Sequence, residues 1–445
     1  MVPASLLILN LGISIAIILV CILVLKWSPV VALVCGSLYM GLTSGVGMAG
    51  TAEQITTGFG DLMGSIGLPI GFGVIIGQLI YESGGARNMA LSMVRLFPEK
   101  LVLYGIGITA FVFSIPVFFD VTFVILVPLA IALAREIKKP LPYAVGAMVI
   151  GAAAAHTLVP PTPNPLAAAE ILGFDLGLMI LAGLLLGLIA ALLAMRILFF
   201  LLDRGMWNSE KDQSGELSME ETRVREHAPS AGVSLIPILL PILLILSGTF
   251  FRMLDEQVPA IIQLLSHKVT AMLAGAIAAY VIARKSLRGR EMEQSVQKAM
   301  ASAGLVLLIT GAGGAFGAVI QSTGIGDLLA EGIGNSANSA LWAVLLTYGV
   351  AMVFRVSQGS GTVAAITTMT LMAGAGMAEA AGIHPVWIAM AALSGGISIE
   401  AGKLGTEERI HMAPVEVREF RRRHAVGQPG GSQSRMGPLH GLVSP

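Results

Sequence analysis

"GFGVIIGQLIYESGGARNMA", residues 71–90, set above "GAGGAFGAVIQSTGIGDLLA", residues 311–330, gives six identities in twenty at a constant offset of 240. Four of the six are glycines, which are frequent in a chain carrying 53 of them, so the pairing needs independent support. The same offset lays the apolar stretch 28–46 over 268–286. It also lays "SIPVFFDVT" (114–122) over "FRVSQGSGT" (354–362), with Thr122 on Thr362. Three segments agree on one register, which predicts two homologous halves.

The surrounding composition says what these halves are. Of 445 residues, 55% are hydrophobic and only 12% charged, against about 25% charged in soluble domains. A helix that crosses a bilayer needs about 20 mainly apolar residues. Such stretches recur at 5–25, 28–46, 62–81, 101–115, 117–134, 141–159, 175–202, 233–251, 268–283, 299–320, 341–354, 361–378 and 384–400. The expectation is an all-α polytopic membrane protein with about thirteen membrane segments. Met1 to Lys26 lacks a basic start and a small-residue cleavage site, so it is read as the first span rather than a signal peptide. The formal net charge of zero argues against nucleic acid as a partner. Cys21 and Cys35 both fall inside expected spans and are read as ordinary thiols, and no metal set or cofactor motif is expected.

Lys and Arg in short loops mark the cytoplasmic side. Residues 44–58 carry none, whereas their counterpart 284–298 carries Arg284, Lys285, Arg288, Arg290 and Lys298. The bias reverses at the next loop: 87–100 holds Arg87, Arg95 and Lys100, and 327–340 holds none. Arg135, Lys138 and Lys139 likewise face a bare 375–379. Opposite sidedness of every matched pair predicts inverted-topology repeats, produced by an odd number of crossings in the first half. The domain reading is a first repeat at 1–202, a polar cytoplasmic linker at 203–232, a second repeat at 233–400, and an atypical basic tail at 401–445, expected to be disordered. The N-terminus would lie outside. In such folds helices break or re-enter near the midplane, where exposed backbone lines a cavity.

Three stretches could supply that cavity with chemistry. "FRVSQGSGTVAAITT" (354–368) places Arg355 at membrane depth beside Ser357, Gln358, Gly359, Ser360, Gly361 and Thr362. A charge at a helix centre costs at least about 2.5 kcal/mol on insertion scales. Arg355 should therefore face an anion, pair with an acid, or snorkel to a headgroup. A helix restarting near Ser360 would aim its positive end at an anion. Asp120, in "IPVFFDVTF", falls at the mirror position behind the helix-breaking Pro116. It is read either as a proton carrier or as the static partner of Arg355. In "HTLVPPTPNPLAAA" (156–169), Pro160, Pro161, Pro163 and Pro165 force a non-helical segment between apolar flanks. His156, Thr157, Thr162 and Asn164 are candidates for hydrogen bonds to a hydroxylated substrate, and His156 also for carrying a proton. An extracellular loop remains an alternative for this stretch.

Two weaker features have plain readings. Glu82 beside Arg87 is read as a cytoplasmic surface pair. Gly71-Gly73-Gly77 and Gly311-Gly313-Gly317 have the wrong spacing for a dinucleotide site and fit helix packing.

"FFDVTFVILVPL", "HTLVPPTPNPLAAA", "TGAGGAFGAVIQSTG" and "FRVSQGSGTVAAIT" resemble, in order and at similar spacing over residues 28–398, the gluconate:proton symporter (gluconate permease) family of the wider ion-transporter superfamily. The resemblance implies a bacterial inner-membrane carrier for proton-coupled uptake of gluconate or a related small hydroxylated monocarboxylate. Asp120, His156, Thr157, Pro160, Pro161, Arg355, Gly359, Ser360 and Thr362 fall on matching positions. Arg355 would then take the carboxylate, His156 to Asn164 the hydroxyls, and Asp120 the proton. The partners would be the organic anion, protons and the lipid bilayer, with a homodimer left open.

A sodium-coupled carrier of dicarboxylates is a rival, disfavoured because one cation, Arg355, suits one carboxylate. An intramembrane hydrolase lacks a nucleophile elbow or a zinc-binding His pair. The last apolar span that the family carries is replaced here by a tail with Arg418, Arg421, Arg422 and Arg423. A frameshift or truncation near residue 398, leaving a carrier without activity, is the third alternative.

Overall fold

A computed structural model describes residues 2–94, 96–115, 119–205, 227–254, 258–325, 339–358 and 361–397. The described residues are helical throughout: α1 (Ala4–Leu23), α2 (Pro29–Thr43), α3 (Met48–Glu82), α4 (Gly85–Val94), α5 (Val102–Ser114), α6 (Phe119–Glu136), α7 (Leu141–Leu158), α8 (Pro163–Ile171), α9 (Leu176–Asp203), α10 (Ala231–Met253), α11 (Ala260–Ser266), α12 (Lys268–Ala283), α13 (Gly289–Ser322), α14 (Ser339–Gln358), α15 (Gly361–Gly374), α16 (Met377–Ala381) and α17 (Pro385–Ile397). Six helices are long and apolar enough to cross a membrane, or seven if α11 and α12, bent by 67° at His267, form one span. Six further apolar helices are 10–17 residues long, shorter than the roughly 20 residues a straight crossing needs. A chain that is apolar almost everywhere, yet cut into such pieces, must satisfy its backbone ends inside protein.

α3 and α13 form the spine, packed along each other over most of their length. Both run further than the apolar stretches 62–81 and 299–320. Glu53 and Gln54 near the start of α3, and Glu291 and Glu293 near the start of α13, lower hydropathy without ending a helix. At 35 residues, α3 is about 52 Å long, well beyond a hydrocarbon core of about 30 Å. Small residues permit the close approach: a methyl group on Gly58 would lie 2.6 Å from the Gly314 carbonyl, and one on Gly314 would lie 2.5 Å from the Gly58 carbonyl.

Both spine helices end in the same way. The Ser83 hydroxyl donates to the Ile80 carbonyl at 3.0 Å, and the Thr323 hydroxyl donates to the Ile320 carbonyl at 2.7 Å. Gly84 (φ 80°) and Gly324 (φ 71°) follow in the left-handed region that glycine adopts without strain. Neighbour pairings also correspond at the offset of 240. α3 on α12 matches α13 on α2. α5 on α7 matches α14 on α17, and α6 on α7 matches α15 on α17.

Elsewhere the short elements α4, α8, α11 and α16 are additions to the sequence reading, too brief to leave a hydropathy signal. Glu82 pairs with Lys298 of α13 at 3.4 Å rather than with Arg87, because α3 and α13 lie side by side. Cys21 is buried, Cys35 is half-buried, and both are free thiols. The expected break at Pro116, the linker between 206 and 226, and the tail 401–445 lie outside the described residues.

Candidate functional site

The proline-rich stretch resolves into a break of four residues. α7 ends at Leu158, Val159 turns extended (φ −112°, ψ 119°), and Thr162 precedes α8. Pro163 and Pro165 do not extend the break. They occupy the first turn of α8, where a missing N–H leaves nothing unsatisfied. Every residue from Thr157 to Ala169 is buried, which overturns the extracellular-loop alternative. Two helices hold the break from either side. A methyl group on Gly183 of α9 would lie 2.1 Å from the Leu158 carbonyl, and one on Gly73 of α3 would lie 3.2 Å from the Pro161 carbonyl.

Arg355 sits in the last turn of α14 and is only 3% exposed. The carbonyl end of a helix carries partial negative charge, which favours a cation there. Its Nη1 lies 3.5 Å from the position a Gly361 methyl group would take, so the guanidinium rests against the first residue of α15. Thr362 follows in the first turn of α15 and is half-buried. Gly396 of α17 closes the other side, 3.3 Å separating its carbonyl from that same Gly361 methyl position. The side chains of Ser357 and Asp120, and all of Gly359 and Ser360, lie outside the described residues.

The two regions share neighbours. α15 packs on α8, α13, α14 and α17, and α17 packs on α7 and α8 as well. The fold therefore brings the helix bearing Asn164 against the helix that begins beside Arg355.

Hydrogen bonding sorts the polar candidates. Thr162 donates its hydroxyl to the Val159 carbonyl at 2.8 Å, so it stabilises the break and offers a ligand only its lone pairs. Asn164 is 4% exposed, and its Oδ1 accepts no hydrogen bond among the described residues. Thr367 and Thr368, fully buried on α15, have hydroxyls in the same condition, as does Thr109 on α5. Nearly all buried polar atoms in native proteins find a partner, so an acceptor left open beside a break is suited to a ligand's O–H or N–H. The sequence reading missed Thr367 and Thr368. The run "ITTMT" (366–370) held the only signal, three hydroxyls in an otherwise apolar helix. Thr370 spends its own on the Ile366 carbonyl at 2.7 Å.

The glycine strings do pack helices. Gly313 and Gly317 would drive a methyl group into Ile366 and Thr370 of α15, and Gly311 into Phe59. Gly71 meets nothing within 4 Å, so it lies outside this packing role. Ser114 donates to Thr122 at 2.9 Å and bridges the end of α5 to the start of α6.

Long apolar helices, several shorter ones and a buried arginine are the features of a helical membrane protein. Residues 6–401 match the sequence model described as "GntP family permease", and the chain belongs to that family. This makes it a multi-pass protein of the bacterial inner membrane. It is similar to the gluconate permease of Pseudomonas aeruginosa, with 31% identity covering 77% of this chain and 76% of that one. It is also similar to the D-serine transporter DsdX of Escherichia coli, with 31% identity covering 81% of each. In fold it resembles the Alcanivorax borkumensis YdaH transporter, with a TM-score of 0.54 and 17% identity over 84% of this chain and 82% of that one.

Proposed function

We infer that this permease carries gluconate or a related small hydroxylated monocarboxylate, driven by protons. The observation that carries the reading is Arg355, a fixed cation 3% exposed at the junction of two helix ends inside a membrane permease. A cation at this depth, costing about 2.5–3.5 kcal/mol on insertion scales, marks a functional position, and its planar fork suits a carboxylate. Charge cancellation makes the loaded site tolerable in lipid. Asn164, Thr367 and Thr368 then receive hydroxyl protons of the substrate, and His156, Thr157 and Thr362 complete the polar lining. Ser357, Gly359 and Ser360 complete the anion end, and Asp120 carries the coupled proton.

The halves 1–202 and 233–400 are inverted repeats joined by a cytoplasmic linker at 203–232. Support comes from the helix boundaries at an offset of 240, from the matched endings at Gly84 and Gly324, and from the reversed Lys/Arg bias. The short apolar helices α5, α6, α14, α15 and α17 are on this reading parts of broken or re-entrant spans.

Relatives named for gluconate and for D-serine share one chemistry, a carboxylate whose neighbouring carbon bears a polar group. The test is uptake of labelled gluconate into proteoliposomes under an inward proton gradient, with D-serine as competitor. Arg355→Ala is expected to abolish it and Asp120→Asn to remove its dependence on the gradient. Normal uptake by Arg355→Ala would end the carboxylate assignment. Uptake driven by sodium at uniform pH would replace the coupling ion.

A further inference from the structure

Where α12 gives way to α13, residues 284–289 wall a cavity of about 990 Å³ lined by Arg284, Lys285, Ser286, Arg288 and Glu291, with His227 from the chain ahead of α10. The Ser286 hydroxyl donates to the His227 carbonyl at 2.6 Å and ties the two walls together. Leu287, 4% exposed, is buried among them. Glu291 accepts from the Arg288 backbone N–H at 3.0 Å. Among the described residues that line it, three cations accompany one carboxylate. Among the described residues no ion pair neutralises Arg284, Lys285 or Arg288.

The helix leading into this cavity has a second feature. Leu273, Ile277 and Val281 of α12 are 40%, 54% and 59% exposed, while Met272, Ala276, Ala279 and Ala283 on the other side are buried. Spacing of four residues keeps the three on one face. Arg284, still helical at φ −54° and ψ −25°, continues the line. From Leu273 to Arg284 the rise is roughly 16 Å, close to the half-thickness of about 15 Å that one leaflet's chains fill. An apolar track of leaflet length therefore ends in a cationic cavity.

We propose that this cavity and track bind one anionic phospholipid, its phosphate held by Arg284, Lys285 and Arg288 and its acyl chain laid along Leu273, Ile277 and Val281. Clustered basic side chains at a membrane surface attract anionic headgroups. The depression is open at the surface, and its three cations lie within five consecutive residues. The corresponding loop at the offset of 240, residues 44–48, contains no cation. The lipid site is separate from the transport site and does not depend on which substrate is carried.

The test is native mass spectrometry of the full detergent-solubilised chain titrated with phosphatidylglycerol, phosphatidylcholine of the same chain length, and inorganic phosphate. One phosphatidylglycerol should bind in preference to phosphatidylcholine, and Arg284→Gln/Lys285→Gln/Arg288→Gln should weaken it by about tenfold or more. The control Arg135→Gln/Lys138→Gln/Lys139→Gln removes equal charge at another loop and should leave binding within about twofold, since only neighbouring charges act strongly. Equal losses in the two variants would overturn the site in favour of diffuse attraction. Inorganic phosphate binding as tightly as the lipid, with Ile277→Ser/Val281→Ser unchanged, would overturn the lipid as its occupant.

Discussion

Arg355 Nη1 lies 3.5 Å from the point that a methyl group on Gly361 would occupy, and the Gly396 carbonyl lies 3.3 Å from it on the other side. The guanidinium is thus positioned by the absence of a side chain at the start of α15. Gly361→Ala should be tolerated with a small adjustment. Gly361→Val adds two more carbons and should lower uptake by about tenfold or more, since misplacement of a binding group by about 1 Å costs on the order of a hundredfold. Arg355→Lys keeps the charge but loses the planar fork that matches a carboxylate, so its uptake should fall between wild type and Arg355→Ala. Labelled-gluconate uptake by the four variants, normalised to membrane-inserted protein, decides the order.

Much of this arrangement was legible in the sequence because the bilayer restricts the options. An apolar chain must be helical, and a cluster of prolines such as Pro160 to Pro165 must mark a break, whereas single prolines such as Pro69 of α3 and Pro237 of α10 lie inside helices. Gly84 and Gly324, which the offset of 240 pairs, each follow the end of a spine helix with positive φ. Tertiary choices were not legible. Nothing in the string "VPPTPNP" distinguishes a four-residue buried turn from an exposed loop, because that depends on Gly183 and Gly73 bracing it from distant helices. Glu82 chose Lys298 over nearby Arg87 for the same reason, since packing of α3 on α13 decides the partner. Thr367 and Thr368 gave no motif, and only their burial on α15 singles them out.

The contact of α5 with α7 brings backbone against backbone. A methyl group on Gly151 would fall 1.9 Å from the Gly107 carbonyl, a distance no side-chain rotation can relieve. Gly151→Ala should force the helices apart and destabilise the protein by about 1–3 kcal/mol, the range for overpacked cores. Gly12→Ala, where nothing lies within 4 Å, should be neutral or slightly stabilising, because alanine favours a helix by about 1 kcal/mol over glycine. Thermal denaturation in detergent, followed by loss of the monodisperse peak, compares the two.

Asp175 does two separable things. Its Oδ1 accepts from the Leu178 N–H at 3.1 Å, capping α9, and from the Thr249 hydroxyl at 2.8 Å, while Oδ2 meets Arg252 at 2.5 Å. Asp175→Asn keeps a capping oxygen and loses the charge. Because Arg252 is half exposed, this should cost less than about 1 kcal/mol. Asp175→Ala loses the cap as well and should cost about 1–2 kcal/mol. If both variants melted together, the cap would contribute nothing.

Lys268, the first residue of α12, pairs with Glu170 near the end of α8, 98 residues earlier in the chain. Their side chains are 22% and 33% exposed, so the pair is screened less than a surface bridge and is desolvated less than a core one. It joins the short helix that carries Asn164 to the start of α12, and Ser65 of α3 also hydrogen-bonds Glu170. Glu170→Gln and Lys268→Met should each destabilise the protein, and the double variant should be less affected than their sum. A coupling of about 1 kcal/mol fits a partly buried pair. The double-variant cycle on melting temperature measures it. Strict additivity would show that the Lys268 pair contributes no coupling, leaving α8 held by packing on its neighbours and by the Ser65 bond to Glu170.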